Sequence, residues 1–377
     1  MISRRHFSSG FAIVLATGCE KKNDQEIVVG GYFSLSGPDS TFGNDSKEGI
    51  ELATEEVNAA GGIKGKKIRL VVEDDKSTTQ EASQKVRQLI DRDKVVAVLG
   101  EVASSRSLAG GLVANQAKIP MLTPSSSAIE VTQGREWVFR TSYTDDLQGR
   151  ALARFVKDEL KKTKVGIFYV AQDTYSSGLA KTFREAFKKL GGEIVVDKGY
   201  QKGETNYRTY LSELKAANPE AIFVPNYYGD MVLIARQAKE IGIPGSMFVG
   251  GDGWVSSNLL EGAGAELEGA HFTNPYAPDV PWPSSKKFND AYKAKYKREP
   301  PAFAAQGYDG ARVLYDAIAR APQVTPEAIR KALTETKDFQ GATGTITFDA
   351  ERNAEKAIVV VMVKDKKFTF KTQLDPR

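Results

Sequence analysis

Asp252 stands in the segment Gly250-Gly251-Asp252-Gly253-Trp254, a carboxylate on a glycine-flanked loop to which another group could approach closely. A carboxylate is what an ammonium group requires. Ser104 lies where a helix would open, and Ser125-Ser126-Ser127 follow Pro124 after an apolar run. Hydroxyls and the unpaired N–H groups of a helix start suit a carboxylate. Tyr175 and Tyr227 also follow apolar runs. An anion-seeking half and a cation-seeking half together outline a site for a zwitterion. Each residue also has a structural use: serines beside a proline form turns, an aspartate among glycines forms a turn, and tyrosines cap a core. Their joint placement at strand ends is what favours a site.

Other chemistry is poorly provided for. His6 and His271 are the only imidazoles and Cys19 the only thiol, so one chain assembles neither a His/Cys metal cluster nor an internal disulfide. Any Ser-His-Asp or Cys-His arrangement would need His271 as its base. There is no G-x-S-x-G elbow and no complete Walker loop, and the paired glycines Gly30-Gly31, Gly110-Gly111 and Gly191-Gly192 begin no nucleotide fingerprint. No enzyme and no cofactor are expected. The formal charge is +4, falling to about +2 without Arg4 and Arg5. That field is too weak for phosphate-backbone binding, so nucleic acid is not an expected partner.

The candidate residues must be held by an α/β framework. With 377 residues, 41% hydrophobic and 27% charged, the chain is too long for one ordinary core, and two domains follow. Ile27 to Leu35, Ile68 to Val72 and Val95 to Leu99 read as strands, the last an unbroken apolar run suited to a parallel strand covered on both faces. Ile50, Ala53 and Val57 share one helical face, as do Ala82, Val86, Leu89 and Ile90. The helix opened by Ser104 would run through Leu108 and Leu112. After Thr144-Asp145-Asp146 the rhythm repeats, with strands at Val165 to Val170, Ala221 to Val224 and Met247 to Val249, and a helix lined by Leu179, Phe183, Phe187 and Leu190. Prolines at 275, 278, 281 and 283 interrupt it. Helices follow through Tyr292 and from Phe303 to Ala319, then strands at Gly344 to Phe348 and Ala357 to Val363. Such open sheets bind ligands beyond the carboxyl ends of their strands, where Ser104, Ser125, Tyr175, Tyr227 and Asp252 fall.

Residues 1–18 read as an export signal: basic Arg4-Arg5, an apolar stretch from Phe11 to Ala16, and small residues before Cys19. Ser3-Arg4-Arg5-His6-Phe7 resembles a twin-arginine motif. Ala16-Thr17-Gly18-Cys19 resembles a lipobox, with Ala16 where leucine is usual, and implies lipidation of Cys19. Residues 19–26 would be a polar linker from that anchor.

Over Ile27 to Lys371 the sequence closely resembles the leucine/isoleucine/valine-binding protein family, type I periplasmic solute-binding proteins of hydrophobic amino acid ABC transporters. The segments that carry it are Ser34-Leu35-Ser36-Gly37-Pro38 with Phe42-Gly43; Asn58-Ala59-Ala60-Gly61-Gly62-Ile63 with Gly65; Thr123-Pro124; and Gln306-Gly307-Tyr308-Asp309. The resemblance implies two doubly wound parallel-sheet lobes joined by a three-crossing hinge: 27–145 plus 276–353 as one lobe, 146–275 plus 354–377 as the other. It implies that Ser104 and Ser127 contact a ligand carboxylate with side chains and Ser125 with backbone. Asp252 and Tyr227 would lie at the ammonium end, Tyr175 would close over the ligand, and Phe42 and Phe303 would shape the side-chain pocket. Asp252 replaces the glutamate usual in branched-chain binders, and Trp254 is expected to narrow the pocket. The implied function is capture of a small hydrophobic or branched-chain amino acid by hinge closure, for delivery to a membrane permease from a lipid-anchored position outside the cytoplasm. Alternatives on the same fold are an amide or aromatic acid ligand, or a sensory module.

Overall fold

The computed structural model describes residues 25–277, 280 and 282–374. The export signal, Cys19 and most of the linker lie outside the described residues, as do Pro278 and Pro281. Among the described residues no helix is long and apolar enough to cross a membrane.

The chain alternates strand and helix from its first described element: β1 (Glu26–Phe33), α1 (Ser40–Ala59), β2 (Lys67–Asp74), α2 (Thr79–Asp91), β3 (Ala97–Leu99), α3 (Ser104–Ala117), β4 (Met121–Thr123) and β5 (Val138–Arg140). These strands form a parallel sheet in the order β2-β1-β3-β4-β5. The apolar run at 95–99 yields a shorter strand than its composition suggests. Val95 and Val96 only approach the sheet, although Val96 N already donates to Val28 O at 3.0 Å.

The second unit runs α4 (Asp145–Arg154), β6 (Lys164–Val170), α5 (Thr174–Lys189), β7 (Glu193–Tyr200), α6 (Arg208–Ala216), β8 (Ala221–Val224), α7 (Tyr228–Glu240), β9 (Phe248–Gly250), α8 (Ser257–Ala263) and β10 (His271–Asn274). Its parallel strands repeat the first unit's permutation, β7-β6-β8-β9-β10. The remaining elements are α9 (Pro283–Tyr296), α10 (Ala302–Arg320), α11 (Pro326–Thr334), a small hairpin β11 (Phe339–Gly341) with β12 (Gly344–Ile346), and the pair β13 (Ile358–Lys364) and β14 (Lys367–Leu374). β13 and β14 extend the second sheet antiparallel beyond β10. The strand expected from Gly344 to Phe348 stops at Ile346 and belongs to the hairpin, because its partner is the adjacent β11 and not a main sheet. The helix expected through Leu108 and Leu112 forms as α3, and the helix lined by Leu179, Phe183, Phe187 and Leu190 forms as α5, with two of these leucines facing solvent. Leu112 is half exposed, and Leu190 is the exposed cap of α5.

α10 returns to the first sheet, where it packs on α1 at very close range. A Cβ at Gly49 would lie 1.9 Å from Ala304 O, and one at Gly307 would lie 2.3 Å from Ser46 O. Both obstacles are backbone carbonyls, which cannot rotate away as a side chain can. Gly307→Ala is therefore expected to destabilise the protein by about 3 kcal/mol, the upper end for overpacking. An unchanged urea midpoint would show that the two helices can separate freely.

Other family-like segments also have mechanical duties. Ser34 donates through N and Oγ to Glu101 Oε1, at 3.1 and 3.0 Å, and through Oγ to Asp75 at 2.7 Å. Asp74 gathers the N–H groups of Leu35, Ser36 and Lys76. Asn58 ties the end of α1 to Ile68 on β2 through both its amide atoms. Asp309 accepts from Ala342 N and Thr343 N, holding the β11–β12 turn against α10. These contacts fix the loops that carry the site without touching it.

Candidate functional site

In each unit the order of strands reverses beside its first strand, between β1 and β3 and between β6 and β8. The loops beyond those strand ends face each other. Phe42, Ser104, Ser125, Ser127 and Phe303 come from the first unit, and Tyr175, Tyr227 and Asp252 from the second. All eight line one cleft together with Val102 and Gly253, and with the two units closed the cavity left between them is only about 10 Å³. Seven of the eight are buried and Tyr227 is partly buried.

The first-unit wall is polar at one end. Ser104 begins α3, whose N-terminus carries no side-chain cap, and its Oγ accepts from Ala128 N at 3.1 Å. Ser125 Oγ is buried without a hydrogen-bond partner among the described residues. Ser126, between Ser125 and Ser127 in sequence, turns inward instead. Its Oγ bonds Val102 O and Ser107 Oγ, which braces the loop. The apolar floor is Phe42 edge-on to Phe303 at 4.8 Å and to Tyr227 at 5.7 Å.

Across the cavity, Asp252 starts a single 3-10 turn at the end of β9. Its immediate neighbours are neutral: Gln148 Nε2 donates to it at 3.3 Å, and Tyr175 and Tyr143 stand close by with their hydroxyls. Burial pushes its carboxyl up to about 6, although those neighbours pull the other way. Tyr175 stacks on Tyr227 at 5.3 Å and its hydroxyl accepts from Gly253 N at 2.9 Å. Tyr227 lies apart from Asp252's hydrogen bonds. Its hydroxyl has no partner among the described residues, and the charges acting on it are those of Asp173, Arg106, Asp39 and Glu101.

In the 250–254 segment the glycines admit neighbouring protein atoms: a Cβ at Gly251 would meet the Tyr175 hydroxyl at 2.3 Å, and one at Gly253, which also lines the cavity, would meet Asn226 O at 2.5 Å. One expectation about this segment needs correction: Trp254 does not narrow the cavity. It is fully buried in the second unit, packed under Gly250 with its Nε1 donating to Asn226 Oδ1 at 2.8 Å. An indole N–H needs a partner when buried, and the Asn226 carbonyl draws it away from the ligand side.

Sequence reasoning missed Gln148, Asp145 and Tyr143, which surround Asp252 from the crossing into α4. The signal was present, because Asp145 and Gln148 stand three apart at a helix start and so share a face. His271 opens β10 against Phe155, with burial pushing it down to about 4, and it does not line the cavity. Among the described residues no group of three His, Cys, Asp or Glu could hold a metal ion.

The units are closed on each other. Tyr228 OH donates to Pro38 O at 2.7 Å and lies 3.3 Å from Thr41 Oγ1, and Asn258 Nδ2 donates to Thr41 Oγ1 at 2.8 Å. Two of the crossings are pinned together where Arg140 Nε donates to Asn353 Oδ1 at 3.1 Å.

The sequence matches the family described as periplasmic binding protein over residues 26–367. It is 28% identical over 316 residues to the leucine-, isoleucine-, valine-, threonine- and alanine-binding protein of Pseudomonas aeruginosa, covering 84% of this chain and 83% of that one. A leucine-binding protein from Thermotoga maritima superposes with a TM-score of 0.89 at 36% identity, covering 93% of this chain and 99% of that one. The branched-chain amino acid transporter substrate-binding protein of Streptococcus pneumoniae, in complex with isoleucine, gives 0.86 at 34% identity, with 92% and 98% covered. With the family match spanning nearly the whole chain and both sheets arranged as two doubly wound lobes, this chain belongs to the periplasmic binding protein family, type I fold.

Proposed function

We propose that this protein is the solute-binding subunit of an ABC uptake transporter and captures a small apolar or branched-chain amino acid by closure of its two lobes. The observation that carries this reading is the buried Asp252 carboxylate, without a cationic partner, facing the serines of the other lobe across an aromatic-floored cavity. A carboxylate pushed up by burial gains most from an arriving ammonium. The hydroxyls of Ser104, Ser125 and Ser127 and the uncapped start of α3 suit the ligand's carboxylate, and Phe42 and Phe303 suit an aliphatic side chain. The named ligands of the Pseudomonas, Thermotoga and Streptococcus relatives support the same class.

Closure makes both lobes complete one site, so a membrane permease can read the liganded state from the protein's shape. Export and acylation of Cys19 belong to the same reading. Movement of a Cys19→Ser variant from the membrane to the soluble fraction is the check on the anchor. The function itself is tested by thermal melting of the domain from Glu26 onward against the protein amino acids, short amides and aromatic acids, since a ligand that binds only the folded state raises the melting temperature. Shifts confined to apolar amino acids are expected. Shifts only with ligands lacking an ammonium would overturn the role given to Asp252.

A further inference from the structure

The surroundings of Asp252 hold more negative charge than one ammonium requires. Asp145, the first residue of α4, is also fully buried, and a single amide nitrogen serves both carboxylates: Gln148 Nε2 donates to Asp145 Oδ1 at 3.1 Å and to Asp252 Oδ1 at 3.3 Å. Gln148 Oε1 accepts from Asp252 N at 3.1 Å and from Thr273 Oγ1 at 2.5 Å, so the amide is fixed in this orientation.

The groups facing the pair can be counted. Arg140 on β5 is the cation close to Asp145, and its guanidinium is bonded to Asn353 and Thr132. Tyr143 and Tyr175 present hydroxyls that stay neutral, Ser127 stands beside Asp145 with its O accepting from Asp145 N at 2.8 Å, and Glu130 is on the surface. One buried arginine thus stands against two buried carboxylates, and Asp145 Oδ2 has no hydrogen-bond partner among the described residues. The excess negative charge has to be neutralised by a proton or by a ligand cation.

We propose that in the ligand-free protein Asp145 and Asp252 share one proton across Gln148, and that capture of the ligand's ammonium expels this proton to solvent. The inference rests on the amino-acid reading above and makes Asp145 a positioning residue that acts through Asp252. Burial and the Asp252 charge hold the Asp145 carboxyl well above the usual range. Because binding releases a proton, affinity must rise with pH, by up to about tenfold per unit where the pair titrates.

The test is calorimetry of leucine, isoleucine and valine binding near neutral pH, in phosphate and in Tris, whose ionisation heats differ widely. The wild-type heats should differ between buffers in proportion to a released proton. Asp145→Asn should bind within a few-fold of wild type with equal heats in both. Equal heats for the wild-type protein, or undiminished proton release in Asp145→Asn, would overturn the proposal. Absence of binding heat with any apolar amino acid would instead remove the amino-acid reading and this proposal with it, a result distinguishable from binding without protons.

Discussion

Replacing Asp252 with alanine is expected to leave the fold intact and to weaken amino-acid binding by roughly 3–5 kcal/mol, the scale of leaving one member of a buried ion pair uncompensated. In affinity that is about two to nearly four orders of magnitude. The fold should survive because Asp252 stabilises nothing through a salt bridge in the free protein: it accepts from the neutral Gln148 amide, and its carboxyl is pushed up by burial. Removing such a charge relieves a desolvation cost, so the melting temperature without ligand should not fall. Calorimetry and thermal melting on the same preparation check both halves. Unchanged affinity would take Asp252 out of the site. Asp252→Asn keeps the size and an acceptor for Gln148, so a loss nearly as large in that variant would assign the effect to charge.

The second large effect concerns stability. Arg106 on α3 is 1% exposed and lies among three carboxylates: Asp39 at 2.8 Å, Glu101 at 3.1 Å and Asp75 at 3.9 Å. Arg106→Leu retains apolar bulk but leaves those groups without their cation, and should cost about 3–5 kcal/mol. The dependence on pH gives the mechanism away. Asp75 is pushed up to about 7 by burial and by the Glu101 charge, with Arg106 pulling it down. A carboxyl raised above its unfolded value contributes stability while protonated and loses it as pH rises through the folded value. Without Arg106 this penalty grows, so the variant's deficit should be larger at pH 8 than at pH 6. Equal deficits at the two values would mean that packing, and not charge, is what Arg106 supplies.

Much of the architecture was legible because period and apolar content are local. The strands at Val165 to Val170 and Ala221 to Val224 and the faces of α1, α2 and α5 follow from spacing alone. What escaped were short or mixed elements: β5 and β10 are too short to show a period, and the edge strands β7 and β14 are too polar to stand out as apolar runs. At the site the same divide holds. Strand-end placement brought out Ser104, Ser125, Tyr175, Tyr227 and Asp252. Phe42 and Phe303 needed family likeness, because an aromatic ring carries no local mark of facing a cavity and not a core. Trp254 was misplaced since its orientation depends on Asn226, and Asp145 and Gln148 passed as a polar joint because Asp252, 104 residues beyond Gln148, gives them their meaning.

The bonds from Tyr228 to Pro38 and from Asn258 to Thr41 join surfaces that meet only when the lobes are shut. With the lining residues almost wholly screened from solvent, a captured molecule has no route out past them. Its departure must wait for those bonds to break, so residence time becomes a property of the protein's own opening clock. Ligands of different grip would then leave at rates more alike than their affinities suggest, and a transporter that pries the lobes apart could unload them all by the same stroke.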